Sequence, residues 1–186
     1  MKKALITGAT AGIGRATAEK LARAGVHVVA VGRRADRLAE LSRELAATGL
    51  FDTLALDVSD RAACERAFRE HSRLFEGLDI LVNNAGLAKG LDLVQDADPA
   101  HWDEMIDVNI KGLLYLTRLV LPGMLKQGRG HIVNVGSVAG RWVYPRGAVY
   151  CATKFAVRAL SEELRFDLLG TPIRVTNIEP GMVETE

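Results

Sequence analysis

Strand-like and helix-like segments alternate along this chain, and that order constrains its fold more than any other feature. The short segments rich in Val, Ile and Leu, which predict β-strands, are residues 4–6, 26–31, 53–56, 80–82, 132–135 and 173–178. The longer amphipathic segments, which predict helices, are residues 12–24, 36–47, 60–75, 99–125 and 149–168. Because the strands are apolar on both faces and the connections are long enough for crossovers, the pattern predicts an α/β fold. We expect a three-layer, doubly wound parallel sheet of the Rossmann type.

The size and charge of the chain exclude several classes of function. Its 186 residues, 48% of them hydrophobic and 25% charged, fit one globular domain over residues 1–186. A formal net charge of +1 and 5% aromatic residues argue against a nucleic-acid partner, and no apolar run is long enough to cross a membrane. The two cysteines and four histidines show no metal-ligand spacing. We therefore expect no metal site and a reduced, cytoplasmic environment.

A glycine-rich segment follows the first predicted strand and opens the first predicted helix. Its candidate binding residues are Gly8, Thr10, Gly12, Ile13 and Gly14. Glycines let the backbone approach a ligand closely, and the unpaired N–H groups at a helix start attract phosphate. A plain strand-to-helix turn has a similar composition, and the spacing differs from the GxGxxG fingerprint. The position after the first strand of an alternating fold nevertheless favours a nucleotide pyrophosphate.

The residues after the second predicted strand indicate which dinucleotide is bound. NAD-binding proteins place an acidic residue there to bind the ribose 2′-hydroxyl, whereas this chain has Arg33 and Arg34. An arginine fork binds a 2′-phosphate through two charge-assisted hydrogen bonds, so the sequence favours NADP. Two solvated loop arginines are the alternative. Asp57, followed by Val58, ends the third predicted strand, and we interpret it as an adenine contact.

Tyr150 and Lys154 lie four positions apart in a predicted helix, so their side chains share one face. A free phenol loses its proton only near pH 10 and becomes a useful base when a nearby positive charge favours the phenolate. An ammonium ~4 Å away supplies up to about 4 kcal/mol at an effective dielectric constant of 20. Ser137 follows the fifth predicted strand at the same sheet edge, where its hydroxyl can bond a substrate oxygen. A Tyr–Lys pair alone is usually a surface pair, so the combination with Ser137 and the glycine segment predicts catalysis.

The chain resembles the short-chain dehydrogenase/reductase family over its whole length. The matching segments are residues 7–14, 83–86, 109, 137, 150–154 and 180–181. The resemblance implies that Tyr150 is the general base in oxidation and the acid in reduction, and that Lys154 favours the phenolate and binds the nicotinamide ribose. Ser137 would polarise the reacting oxygen, and Asn109 would stabilise a helix kink and a proton relay through water.

The resemblance also implies the remaining cofactor contacts and the assembly. The residues expected on the adenosine side are Asn83, Ala85 and Gly86, and those expected to hold the carboxamide are Pro180, Gly181 and Val183. Helices of this family pair between subunits, which implies a homodimer or homotetramer. Chains of the family continue past residues 180–181 with a lid and a last strand, so we expect those parts to be missing here.

Residues 117–124, 130–134 and 164–185 are most similar to NADP-dependent 3-hydroxy acid dehydrogenases, which oxidise L-serine and L-allo-threonine. The expected activity is therefore hydride transfer between NADP(H) and a small hydroxy or keto substrate. Arg141 and Arg146, between Ser137 and Tyr150, are candidates for a carboxylate clamp, although solvated loop positions are the more common role. A carbonyl reductase of other ketones or acyl substrates and a non-catalytic NADP-sensing module are the alternative functions.

Overall fold

A six-stranded parallel sheet forms the centre of the computed structural model, which describes residues 1–184. The strands are β1 (Lys3–Thr7), β2 (His27–Gly32), β3 (Phe51–Ala55), β4 (Ile80–Asn83), β5 (Gly130–Val135) and β6 (Ile173–Ile178). Their order in the sheet is β3-β2-β1-β4-β5-β6. In the register of the sheet, Leu5 of β1 pairs with Val29 on one side and Leu81 on the other. This order confirms the doubly wound arrangement, whose strand order reverses between β1 and β4.

Helices cover both faces of the sheet. They are α1 (Gly12–Arg23), α2 (Ala35–Glu44), α3 (Arg61–Glu70), α4 (Ser72–Phe75), α5 (Pro99–Ile106), α6 (Leu113–Gln127) and α7 (Ala148–Asp167). Successive strand residues point to opposite faces, so Leu5 joins the apolar core beneath α3 and α6 while Ile6 joins the core beneath α1 and α2. Both residues are fully buried, as the continuous apolar strands predicted.

The long helix predicted over residues 99–125 is divided in two. A wide π-type turn at Asp107–Gly112 separates α5 from α6. Within this turn the Asn109 side chain binds the backbone of Leu87, a contact that sequence periodicity does not reveal. Gly112 allows close packing there, since a Cβ on it would lie 2.8 Å from the Cγ2 atom of Val58. The break therefore positions Asn109 rather than reflecting weak helix propensity.

Three further features of the described residues concern membranes, metals and cysteines. Within residues 1–184, none of the helices combines the length and apolar character needed to cross a bilayer. Over the same residues, no three His, Cys, Asp or Glu side chains are grouped to hold a metal ion. Cys64 and Cys151 are both buried and unpaired.

Candidate active site

A cavity of about 500 Å³ lies along the carboxyl ends of the strands, where doubly wound folds bind their ligands. Segments that follow all six strands contribute to its wall. The predicted site residues that line it are Gly8, Thr10, Gly12, Ile13, Arg33, Arg34, Asp57, Val58, Ala85, Gly86, Ser137, Tyr150, Lys154, Pro180, Gly181 and Val183. The fold thus brings together residues that are up to 175 positions apart in the sequence.

The glycine segment is held against the end of β4 by hydrogen bonds. The side-chain amide of Asn84 donates to the main-chain oxygens of Thr7 at 2.9 Å and Gly8 at 3.3 Å. Gly8 and Gly12 adopt φ values of +65° and +51°, which other residues rarely take. Gly14 does not line the cavity in the described structure, but a Cβ on it would lie only 2.3 Å from the Gly8 oxygen. Gly14 therefore permits the packing of the loop rather than ligand contact.

Arg33 and Arg34 occupy different environments at the end of β2. The guanidinium of Arg34 donates to the hydroxyl of Thr10 at 3.1 Å and to the Thr10 carbonyl oxygen at 3.2 Å. Arg33 is exposed, and its Nη1 atom lies 3.7 Å from Asp57 and 3.8 Å from Glu104. Arg34 thus holds the glycine segment through hydrogen bonds, whereas the exposed guanidinium of Arg33 can move to contact a ligand.

Asp57 is held as a carboxylate beside Arg33. Burial raises the pKa of Asp57. Hydrogen bonds from the amide and hydroxyl of Ser59, together with the nearby charge of Arg33, lower it by a larger amount, so the pKa lies below its ordinary value. Its negative charge therefore persists near neutral pH. Leu56 and Val58 flank it with apolar surface that suits a nucleotide base.

Lys154 lies buried beneath the cavity on α7, one turn after Tyr150. Its ammonium is 5.8 Å from the centroid of the Tyr150 ring and donates to the main-chain oxygen of Val135 at 2.9 Å. Burial lowers the pKa of Lys154 to about 8. The amine therefore still carries its proton at neutral pH, and its charge acts on the phenol from a poorly hydrated position.

Ser137 presents its hydroxyl to the same part of the cavity. Its Oγ atom accepts a hydrogen bond from the backbone N–H of Ala139 at 3.1 Å. Because that bond uses one lone pair and not the hydroxyl hydrogen, the O–H remains available to donate. Ser137 can therefore donate to a substrate oxygen without losing its anchor.

Asn109 lies behind the cavity rather than in its described wall. A Cβ on Gly86 would lie 3.2 Å from the Asn109 Oδ1 atom and 3.5 Å from the Lys154 ammonium. Gly86 lies next to both groups, and its lack of a side chain leaves room for them. Asn109 is thus positioned to act through Lys154 and not by direct contact with a ligand.

Asn83 is absent from the described wall of the cavity. Its amide nitrogen donates to the Thr117 hydroxyl at 3.0 Å and to the Asn134 side-chain oxygen at 2.9 Å. Asn134 in turn donates to Ser161 at 2.9 Å, which continues a buried polar chain. Asn83 therefore lies outside the described cavity wall, and its side chain takes part in a buried polar chain that links β4 to α6 and β5.

Several lining residues were not singled out from the sequence. Asn84 lies within residues 83–86, one of the segments that match the family. A polar side chain directly after a predicted strand was the sequence signal that could have identified it as a lining residue. The others are apolar or small and give no local signal of ligand contact: Ala11, Gly32, Leu56, Leu87, Ala88, Val108, Val135 and Gly136.

The comparisons with known proteins agree with this geometry. Residues 2–186 match the family model described as short chain dehydrogenase. The NADP-dependent 3-hydroxy acid dehydrogenase YdfG of Salmonella typhi is 51% identical over 179 residues, which cover 96% of this chain and 71% of that protein. Sulfoacetaldehyde reductase 2 of Chromohalobacter salexigens is 49% identical over 183 residues, which cover 98% of this chain and 73% of that protein.

Solved structures show the same similarity. The closed form of serine dehydrogenase complexed with NADP+ is 48% identical and superposes with a TM-score of 0.93, covering 99% of this chain and 74% of that chain. A Burkholderia phymatum short chain dehydrogenase/reductase in complex with NAD is 34% identical, also with a TM-score of 0.93, and covers 99% of this chain and 66% of that one.

The strand order and the cleft at the switch point define a Rossmann-type fold. The chain belongs to the short-chain dehydrogenase family, as the match across residues 2–186 and the relatives near 50% identity show.

Proposed function

We propose that the protein transfers a hydride between NADP(H) and a small hydroxy or keto acid, with 3-hydroxy acids such as serine or allo-threonine as the first candidates. One observation carries the proposal: a single cavity joins the arginines after β2 to Ser137, Tyr150 and Lys154 beyond β5. Three strand spacings separate β2 from β5, roughly 14 Å, so a ligand that reaches both ends must be extended. A dinucleotide satisfies this requirement.

The residues of the cavity fit NADP as the dinucleotide. The positive-φ glycines and the start of α1 suit a pyrophosphate, and the exposed fork of Arg33 suits a 2′-phosphate. Asp57 lies close to Arg33, and a ligand phosphate competes with this carboxylate for the guanidinium. The NADP-dependent names of the relatives support the same cofactor.

When bound, NADP supplies the hydride acceptor or donor. Ser137 donates a hydrogen bond to the reacting oxygen of the substrate, and Tyr150 removes the hydroxyl proton in oxidation and returns it in reduction. A charge 5.8 Å from the phenol ring centre is worth roughly 3 kcal/mol at an effective dielectric constant of 20. The Lys154 ammonium therefore stabilises negative charge that develops on Tyr150 during proton transfer.

The proposal is tested by incubating the purified protein with NADP and a panel of hydroxy acids and secondary alcohols. The formation of reduced nicotinamide is followed by its absorbance, and the reverse reaction is run with NADPH and the matching ketones. We expect NADP-dependent oxidation that is fastest with 3-hydroxy acids. Activity confined to neutral ketones would indicate a carbonyl reductase instead, and NADP binding without any turnover would indicate a sensing module.

The proposal includes a homodimer or homotetramer located in the cytoplasm. Phe155 and Phe166 on α7 are 40% and 73% exposed, and Leu114 on α6 is 37% exposed, which supports burial of these helices against another subunit. The buried, unpaired Cys64 and Cys151 suit a reducing compartment. Light scattering after size-exclusion chromatography tests the assembly, and a monomer at micromolar concentration would contradict it.

A further inference from the structure

A second, smaller cavity adjoins the first one at Tyr150. Its volume is about 30 Å³, and Ala88 and Tyr150 line both cavities. The remaining wall comes from the segment that follows β4, from α5 and from the segment before α7. At roughly 10–15 Å³ for each water-sized group, the small cavity has room for about two atoms of that kind. A substrate whose hydroxyl is at Tyr150 can therefore place one or two oxygens of a head group in it, with the rest of the head group towards the exposed Arg146.

Arg146 lines this small cavity with an unusual backbone conformation. Among residues 1–184, it is the one non-glycine residue with a clearly positive φ, +65°. Its side chain is exposed, and it has no ion pair or hydrogen bond to any described residue. The neighbouring Arg141, by contrast, is bound to Glu179 and lines neither cavity. The loop thus contains one arginine that is already paired and one guanidinium that is available.

The charged lining side chains of the small cavity within the described chain are Lys89, Asp92 and Arg146. Because Lys89 is paired with Glu104 outside the cavity, Arg146 is the lining cation that remains available, and Asp92 is the one lining carboxylate. One neutral polar group of the wall also suits an anion. The Nδ1 atom of His101 is buried without a hydrogen-bond partner among the described residues. An oxygen of a bound anion would satisfy this nitrogen when it carries the proton.

We propose that Arg146 and the small cavity form a subsite for the anionic head group, a carboxylate or a sulfonate, of the substrate that reacts at Tyr150. This inference rests on the proposed function and names the residue that selects acids over neutral alcohols. The planar guanidinium binds two anion oxygens at once, which fixes the orientation of the substrate as well as its charge. Arg146 is then a specificity-determining residue, and its strained backbone is explained by the direction in which it must present its side chain.

The kinetic test uses NADP and compares racemic 3-hydroxybutanoate with its methyl ester, which lacks the negative charge and carries one additional methyl group. The measured quantity is the ratio of kcat/KM for the acid to that for the ester. We expect Arg146→Gly to lower this ratio at least about tenfold, since a hydrogen-bonded charge contact is lost. Arg146→Lys keeps the charge without the fork and should fall in between. Arg141→Gln, in the same loop but outside both cavities, is the matched control and should keep the wild-type ratio.

A binding measurement separates this inference from the proposed function. Calorimetric titration of the NADP-loaded protein with sodium 3-hydroxybutanoate measures affinity without turnover, and 3-hydroxypropanesulfonate tests the sulfonate. We expect Arg146→Gly to weaken binding of at least one of these anions about tenfold. If the wild type binds the anion but oxidises nothing, the proposed function fails while the subsite stands. If Arg146→Gly and wild type share the same affinities and the same acid-to-ester ratio, the subsite is wrong.

Discussion

The side-chain amide of Asn109 donates a hydrogen bond to the hydroxyl of Thr153 at 3.0 Å, immediately before Lys154 in the sequence. The same amide group binds both backbone polar groups of Leu87, at 2.9 Å each. One side chain therefore joins three segments: the wide turn between α5 and α6, the segment after β4, and α7. Through these bonds Asn109 fixes the site of Lys154 without lining the described cavity.

Replacement of Asn109 by Ala should therefore destabilise the fold. The substitution leaves the N–H and C=O groups of Leu87 without their partners at a partly buried position, at up to about 1–3 kcal/mol for each unsatisfied group. We expect the free energy of unfolding in urea to fall by roughly 2–4 kcal/mol. A loss below about 0.5 kcal/mol, typical of surface substitutions, would show that these bonds contribute little.

The buried amine of Lys154 should make stability depend on pH. Burial lowers the pKa of Lys154 from 10.5 to about 8. Between these values the unfolded chain binds the proton that the folded chain has lost, so the free energy of unfolding rises with pH across this window. The full rise is on the order of 3 kcal/mol in the nucleotide-free protein.

Cys64 titrates with the opposite sign, so the wild-type curve alone does not isolate Lys154. Burial raises the pKa of the Cys64 thiol from 9.0 to about 11, and its contribution to stability is lost as the pH rises through that range. The measurement is therefore the difference between wild type and Lys154→Met in urea unfolding from pH 7 to pH 10. We expect the free energy of unfolding of the wild type to rise relative to that of Lys154→Met as the pH rises. A difference that does not depend on pH would contradict the burial of the charge.

Removal of the Arg33 side chain should change cofactor preference. Its exposed guanidinium lies beside Asp57 and makes no hydrogen bond to the described glycine segment, whereas Arg34 donates a hydrogen bond to Thr10. Arg33→Ala should weaken NADPH binding about tenfold or more by loss of charge-assisted hydrogen bonds, and it should change NADH binding much less. Fluorescence titration with both nucleotides measures this. Equal losses for NADPH and NADH would show that Arg33 does not contact the 2′-phosphate.

Relief of the strained backbone at Arg146 should stabilise the protein. An L-residue at a φ of +65° costs about 1–2 kcal/mol, part of which the higher entropy of an unfolded glycine offsets. Arg146→Gly should therefore raise the midpoint of thermal unfolding by a few degrees, as expected for up to ~1 kcal/mol in a chain of this length. Arg146→Ala retains the strain and serves as the control. Equal midpoints for the Gly and Ala variants would contradict the strain.

The parts of the structure that sequence analysis predicted are those with a local pattern. Apolar strands, the glycine segment and the four-residue spacing of Tyr150 and Lys154 each depend on neighbours in the chain. The structure has the predicted sheet, with the glycine segment and the Tyr150–Lys154 pair at its edge. The periodicity of the sequence gives no sign of the separation of α5 from α6, because it depends on a contact between Asn109 and Leu87, 22 positions apart, and the helix kink expected at Asn109 came from the family resemblance alone.

The finer details of the site depend on packing between distant segments. The direction of the Asn83 side chain is decided by Thr117 and Asn134, which the sequence places far away. The different surroundings of Arg33 and Arg34 likewise follow from where Thr10 and Asp57 lie in space. Sequence patterns identified the residues at the edge of the cavity. They did not show which of these side chains form hydrogen bonds within the protein and which remain exposed to a ligand.

The turnover of Tyr150→Phe tests the central claim most directly. The claim is that the Tyr150 phenol, assisted by the nearby Lys154 ammonium, moves the hydroxyl proton of the substrate. With NADP and the best hydroxy acid of the panel, we expect kcat to fall by at least ~10², while fluorescence titration still detects NADPH binding. Wild-type turnover in the Phe variant would remove Tyr150 from the mechanism and, with it, the role assigned to the buried ammonium.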